Sequence, residues 1–170
     1  MHGTISCTIP DLLLIAQFRW RLRLSQQQLA RETGLSITTV NGLATGKHQR
    51  VALTTLGTLC GYFGCQVGEL LRYGSPDSQR QPLPDGAVRR AMPPGREPVA
   101  VPIRNHLPAL LASCTPTEIA DRLGVRWNTA AVWKAGAATR FDLPILARIC
   151  DWQVCTVNDV LTADLTDIAA

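Results

Sequence analysis

The chain has 170 residues, of which 46% are apolar and 18% charged, enough to fold into one large domain or two small ones. Aromatic residues make up only 5%, which argues against extensive β-structure or an aromatic-lined ligand barrel, and no apolar run approaches the ~18 residues of a membrane span. The net charge of +4 is uneven: residues 1–72 carry seven basic and three acidic side chains, 73–98 four and three, and 99–170 six and seven, so a polyanion should prefer the first third.

The first apolar stretch, Leu12 to Ala16, follows Asp11 and has neither a basic lead-in nor a small-residue cleavage site, so no signal peptide is expected. A cytoplasmic protein with six reduced cysteines is the corresponding expectation. A first helix is predicted over Leu12 to Arg21. Ser25 is placed to cap a second helix over Gln26 to Thr33, with Leu29 and Ala30 inward. Gly34 then allows the positive φ of a tight turn. Ser36 caps a third helix from Ile37 to about Ala44, with Val40 and Leu43 inward at three-residue spacing. Helix, glycine turn and helix at this spacing make a helix-turn-helix. After Gly46 comes the polar loop Lys47-His48-Gln49-Arg50. Leu53, Leu56, Leu59, Cys60 and Phe63 then mark one face of a fourth helix, and Val67 to Leu71 predicts a short fifth.

From Gly74 to Pro98 the chain reads GSPDSQRQPLPDGAVRRAMPPGREP, with six prolines, three glycines and no periodic apolar face. Proline removes backbone donors and blocks helix, so an extended or disordered tether, a flexible linker, is expected. Beyond it the pattern returns. Residues 25–71 lie on 115–161 without a gap, and eleven positions are identical: Ala30/Ala120, Gly34/Gly124, Thr39/Thr129, Gly46/Gly136, Arg50/Arg140, Leu53/Leu143, Leu56/Leu146, Cys60/Cys150, Cys65/Cys155, Val67/Val157 and Leu71/Leu161. The chain is an internal duplication. The expected organisation is an all-α chain of two tandem bundles, over 1–73 and 99–164, joined by a linker over 74–98.

The first unit resembles the lambda-repressor-like, or Cro/Xre-type, helix-turn-helix family through LSQQQLARETGLSITTVNGLATGK (24–47) and LTTLGTLCGYFGCQVGELL (53–71). The second resembles it more weakly through TPTEIADRLGVRWNTAAVWKAG (115–136) and LPILARICDWQVCTVNDVL (143–161). The resemblance implies five-helix bundles whose third helix enters the major groove of double-stranded DNA, and a regulator of transcription, often dimeric. Carried over by position, Gln26 corresponds to the family's phosphate-contacting glutamine. Ser36, Ile37, Thr38, Asn41 and Gly42 fall on or beside the exposed face of the recognition helix. Asn41 suits a base edge, and Ile37 or Thr38 a thymine methyl. Lys47 and Arg50 correspond to the loop that grips phosphates.

The second unit departs at these positions. Pro116 stands for Gln26, and Ala137 and Ala138 stand for Lys47 and His48, leaving Arg140 alone of the loop's charge. Trp127 and Asn128 begin its recognition helix, with Arg126 and Lys134 as phosphate candidates. Trp127 beside Val132 fits a protein contact as well as a DNA contact. Trp133 aligns with Leu43 and is expected in the core.

Cys60/Cys65 and Cys150/Cys155 share a four-residue spacer but align with apolar helix positions, and zinc sites use closer pairs. Buried free thiols are expected, with no metal and no cofactor. The three histidines are scattered and no catalytic constellation is visible. The expectation is a non-enzymatic, sequence-specific DNA-binding repressor that uses both units. The alternative is a DNA-binding first unit with a second unit for homodimerisation or a protein partner. A broad protease should cut first between residues 74 and 98. Peptide mapping by mass spectrometry checks this, and first cuts inside 25–71 or 115–161 would contradict the organisation.

Overall fold

The computed structural model describes residues 3–21, 23–74 and 100–166. The tether expected over 74–98 lies outside them except for Gly74. Strand β1 (Thr4–Cys7) leads into α1 (Ile9–Trp20), α2 (Gln26–Thr33) and α3 (Ile37–Ala44). Strand β2 (Arg50–Ala52), α4 (Leu53–Phe63), α5 (Val67–Leu70) and β3 (Leu71–Gly74) complete the first repeat. The second repeat runs β4 (Ile103–Asn105), α6 (Leu107–Leu110), α7 (Pro116–Leu123), α8 (Trp127–Lys134), β5 (Arg140–Asp142), α9 (Leu143–Gln153), α10 (Val157–Val160) and β6 (Leu161–Ala163).

The expected bounds of α2 and α3 hold because local chemistry sets them. Ser25 and Ser36 accept from the amides of Gln28 and Thr39, and Gly34 closes α2 at φ 69°. In the second repeat Thr115 and Glu118 cap α7 reciprocally. The two Thr115 donors, its amide first and then its hydroxyl, hold the Glu118 carboxyl below the usual carboxylate range. Helix α1 starts three residues earlier than expected, at Ile9, where Pro10 suits the first turn.

The all-α expectation requires correction: six short strands are present among the described residues, in three antiparallel pairs. Each repeat closes its own ends, β1 on β3 and β4 on β6, in matching registers. Cys7 faces Leu71 and Asn105 faces Leu161, so these equivalent positions lie 98 residues apart, where the rest of the repeat is offset by 90. The second repeat therefore lacks eight residues, and its first helix has shrunk to the four residues of α6. The exposed Leu14 and Phe18 of α1 have no counterpart there.

The third pair joins the repeats. Strand β2 runs antiparallel to β5 with Arg50 opposite Asp142, Val51 opposite Phe141 and Ala52 opposite Arg140. Applying the 90-residue shift maps this ladder onto itself, so a pseudo-two-fold axis passes through the Val51–Phe141 pair. The flanking bonds obey the same symmetry: Leu53 N–H donates to Thr139 O at 2.9 Å and Leu143 N–H to Gln49 O at 2.6 Å. Both side chains on the axis are buried, and Phe141 stacks on Trp133 with centroids 6.2 Å apart.

The contact extends beyond the strands. Gly68 N–H, near the axis, donates to Asn158 Oδ1 at 2.6 Å. The Gln66 amide both donates to Ala163 O and accepts from Ala163 N–H, at 3.1 and 3.0 Å. The end sheets cross over, β1 packing on α9 and β4 on α4. Tyr73 donates to Asp151 across this contact, and that bond is the leading cause that lifts the Tyr73 hydroxyl to about 12. One buried core runs through both halves, from Ile9 to Ala163.

Gly57 of α4 shows how close the repeats come. A Cβ there would lie 2.3 Å from the Val101 carbonyl oxygen, and Val101 N–H donates to Gly57 O at 3.1 Å. In an ordinary helix interior, glycine to alanine gains up to ~1 kcal/mol. Gly57→Ala should reverse that sign and lower stability by about 1–3 kcal/mol through overpacking against backbone. Thermal or urea unfolding checks it, and a stabilised variant would mean that the repeats do not dock in this way.

Candidate nucleic-acid interface

The recognition helices α3 and α8 begin at equivalent points, and each opens with a large apolar residue in solvent. Ile37 is 44% exposed and Trp127 56%, whereas Val40 and Leu43 of α3 and Ala130 and Trp133 of α8 are buried. Thr38, Asn41 and Asn128 are also exposed. Both helices border one cleft of about 660 Å³ that opens between the repeats. Thr39 lines it from α3, and Arg126 and Thr129 from α8, with the β2–β5 pair running along it. Because the strands follow the recognition helices by one short loop in each repeat, their pairing brings Thr39 of α3 and Thr129 of α8 to the same cleft.

Among the remaining first-repeat residues, Gln26 is half-exposed at the start of α2, and Lys47 is exposed in the loop. Ser36 spends its hydroxyl on the Thr39 amide (3.0 Å) and hydroxyl (2.8 Å). Arg50 is exposed but pairs with Asp142, its Nε 3.3 Å from Oδ2. Gly42 does not lie on the exposed face as expected. It is buried because the His48 ring lies across it, 2.5 Å from where a Cβ would stand. In the second repeat Val132 takes the place of Gly42 and Ala138 that of His48, so side-chain volume has moved from loop to helix. Val132 is exposed and Ala138 buried.

The second-repeat candidates separate into two groups. Arg126, Asn128 and Arg140 are exposed, as is Trp127. Lys134 is turned inward: its ammonium donates to the carbonyl oxygens of Ala112 and Cys114, clasping α8 to the turn after α6. That engagement removes it from the free cations of the face. Trp133 is buried, as its alignment with Leu43 implies. Arg126 occupies the N-cap of α8 and makes no capping bond, whereas the aligned Ser36 does.

Cys60, Cys65 and Cys150 are fully buried, while Cys155, expected beside them, is only half-buried and follows Val154, which ends α9 in the left-handed region and is 91% exposed. Burial pushes the Cys150 and Cys7 thiols up to about 12. Bonding to Cys60 and then burial raise Cys65. Raised in this way, the thiols stay protonated at neutral pH and are poor nucleophiles.

A family model for the Cro/C1-type HTH DNA-binding domain matches the chain twice, over residues 20–75 and 110–164. The chain belongs to the Cro/C1-type helix-turn-helix family. Both matches contain a complete helix-turn-helix, so this member of the Cro/C1-type family carries two such DNA-binding domains in one chain. No curated protein and no solved structure matches it. No described helix is long and apolar enough to cross a membrane.

The uncapped start of α8 gives a direct test of whether Arg126 is kept for stability. Arg126→Ser should restore a Ser36-like cap and raise stability by about 0.5–2 kcal/mol. Chemical denaturation measures it, and a destabilised variant would show that Arg126 has a packing role.

Proposed function

We propose that this Cro/C1-type chain is a sequence-specific duplex-DNA-binding transcriptional regulator, acting as a repressor, that uses both units at once as a covalent pseudo-dimer. The observation that carries the reading is the β2–β5 pair, which presents α3 and α8 on the two sides of one cleft. Paired recognition helices related by a two-fold axis suit successive major-groove half-sites. The strand pairing fixes the spacing of those half-sites, so the tether does not set it.

In this reading Ile37, Thr38 and Asn41 read one half-site, and Trp127 and Asn128 the other. Gln26 and Lys47 hold phosphates on the first side, and Arg126 and Arg140 on the second. The reading heads differ, so the operator is asymmetric. Readout relies on asparagine, threonine and apolar contacts, with no arginine or glutamine on the exposed heads for a bidentate guanine or adenine contact. Much of the affinity then comes from phosphates and is salt-dependent.

Selection of bound sequences from random duplexes, followed by footprinting, tests the proposal. One asymmetric site with two protected major-groove segments at a single fixed spacing is expected. Lys47→Ala and Arg140→Ala should each flatten the log–log salt dependence by about one unit. Variable spacing, or protection of one segment only, would reject the two-unit reading. If Trp127→Ala left the footprint intact and abolished self-association, the face of α8 would belong to a protein partner.

A further inference from the structure

The two phosphate-loop arginines are equivalent in the repeat but not in their surroundings. The ladder places Arg50 opposite Asp142, and the symmetry-related Arg140 opposite Ala52. Arg50 Nε lies 3.3 Å from Asp142 Oδ2, with the arginine side chain 81% exposed and the carboxylate 23%. Among the described residues no carboxylate pairs with Arg140. The duplication has thus put an acid on one side of the axis and a methyl group on the other.

Asp142 does not spend its charge on a helix cap. It stands at the N-cap of α9 but makes no capping bond, and Ala52 fills the same place before α4 without loss of the helix. Asp142 lines the same cleft as Arg50 and Arg140.

We infer that Asp142 is an electrostatic brake on DNA binding by the first unit, holding Arg50 away from phosphate until DNA displaces it, so that the second unit's loop engages the backbone more readily than the first. The inference rests on the reading of the cleft as the DNA-facing side. A phosphate that takes Arg50 must break the Arg50–Asp142 pair and lie near an uncompensated carboxylate. On the other side Arg140 has no such competitor. The first unit, with the more positive charge, is thereby restrained at its loop, and the second, with net charge −1, is favoured there. This levels two units that charge alone would leave very unequal.

A double-mutant cycle on the full chain tests this, with duplex affinity measured over a range of salt. Exposed ion pairs are weak, so Asp142→Asn, which preserves shape, and Asp142→Ala, which copies Ala52, should each tighten binding about two- to fivefold at low salt. Each should also steepen the log–log salt dependence by about one unit as Arg50 takes a phosphate. In an Arg50→Ala background both changes should vanish. Equal tightening with and without Arg50 would overturn the inference, because the carboxylate would then act only as a distant like charge. Unchanged binding by both Asp142 variants, with unaltered melting temperatures, would overturn it too. If the parent chain bound no duplex at all, the proposed function itself would fail, an outcome distinct from either of these.

Discussion

Three residues from each repeat, paired across a pseudo-two-fold axis, set the arrangement of everything else. The β2–β5 ladder is short, and two isolated three-residue strands would not hold together in water. It persists because Val51 and Phe141 are buried on the axis and because α4 and α9 start directly from the strand ends. The helices also lean on the ladder. The first amide of α4 is satisfied by Thr139 and that of α9 by Gln49, each from the opposite repeat. The end sheets add a second clamp by packing on the other repeat's long helix. Separating the halves would expose buried apolar surface and leave strand-edge hydrogen bonds unmade, so each repeat supports the other.

The local elements were legible because their signals are local. Ser25, Gly34 and Ser36 mark the limits of α2 and α3, and the 90-residue register transfers those limits to the second repeat. The strands were not legible for the opposite reason. Arg50-Val51-Ala52 and Arg140-Phe141-Asp142 are too short to show alternation, and what makes them strands is a partner ninety residues away. The shrinkage of the first helix in the second repeat lies before the region where the repeats align, so only the strand registers reveal the eight missing residues.

The candidate interface divides in the same way. Positions carried over from the family's pattern put Ile37, Thr38, Asn41, Trp127 and Asn128 on faces that are exposed, and the repeat alignment puts Trp133 in the core. The same carry-over misplaces Gly42, whose burial depends on the His48 ring of the loop, although the paired exchange of Gly42 with Val132 and His48 with Ala138 carries the trace. It also offers Lys134 to phosphate, when the turn after α6 gives it two carbonyl groups. For Arg50 the residue type points to phosphate, but its neighbour Asp142 comes from the other half of the chain. The errors cluster where a side chain is met by something distant in sequence.

Fusing two units into one chain has a consequence for dosage. A regulator whose two-fold unit assembles from separate subunits loses the active form as the square of its concentration falls. Here the partner strand is always within reach, because β2 and β5 belong to the same molecule. Dilution cannot separate the two strands, and under the proposed two-unit reading occupancy of a single site follows a simple hyperbola. The fusion also releases the sequence from self-complementarity. In a homodimer every substitution appears on both sides of the axis, whereas here an aspartate can sit opposite one arginine and an alanine opposite its twin.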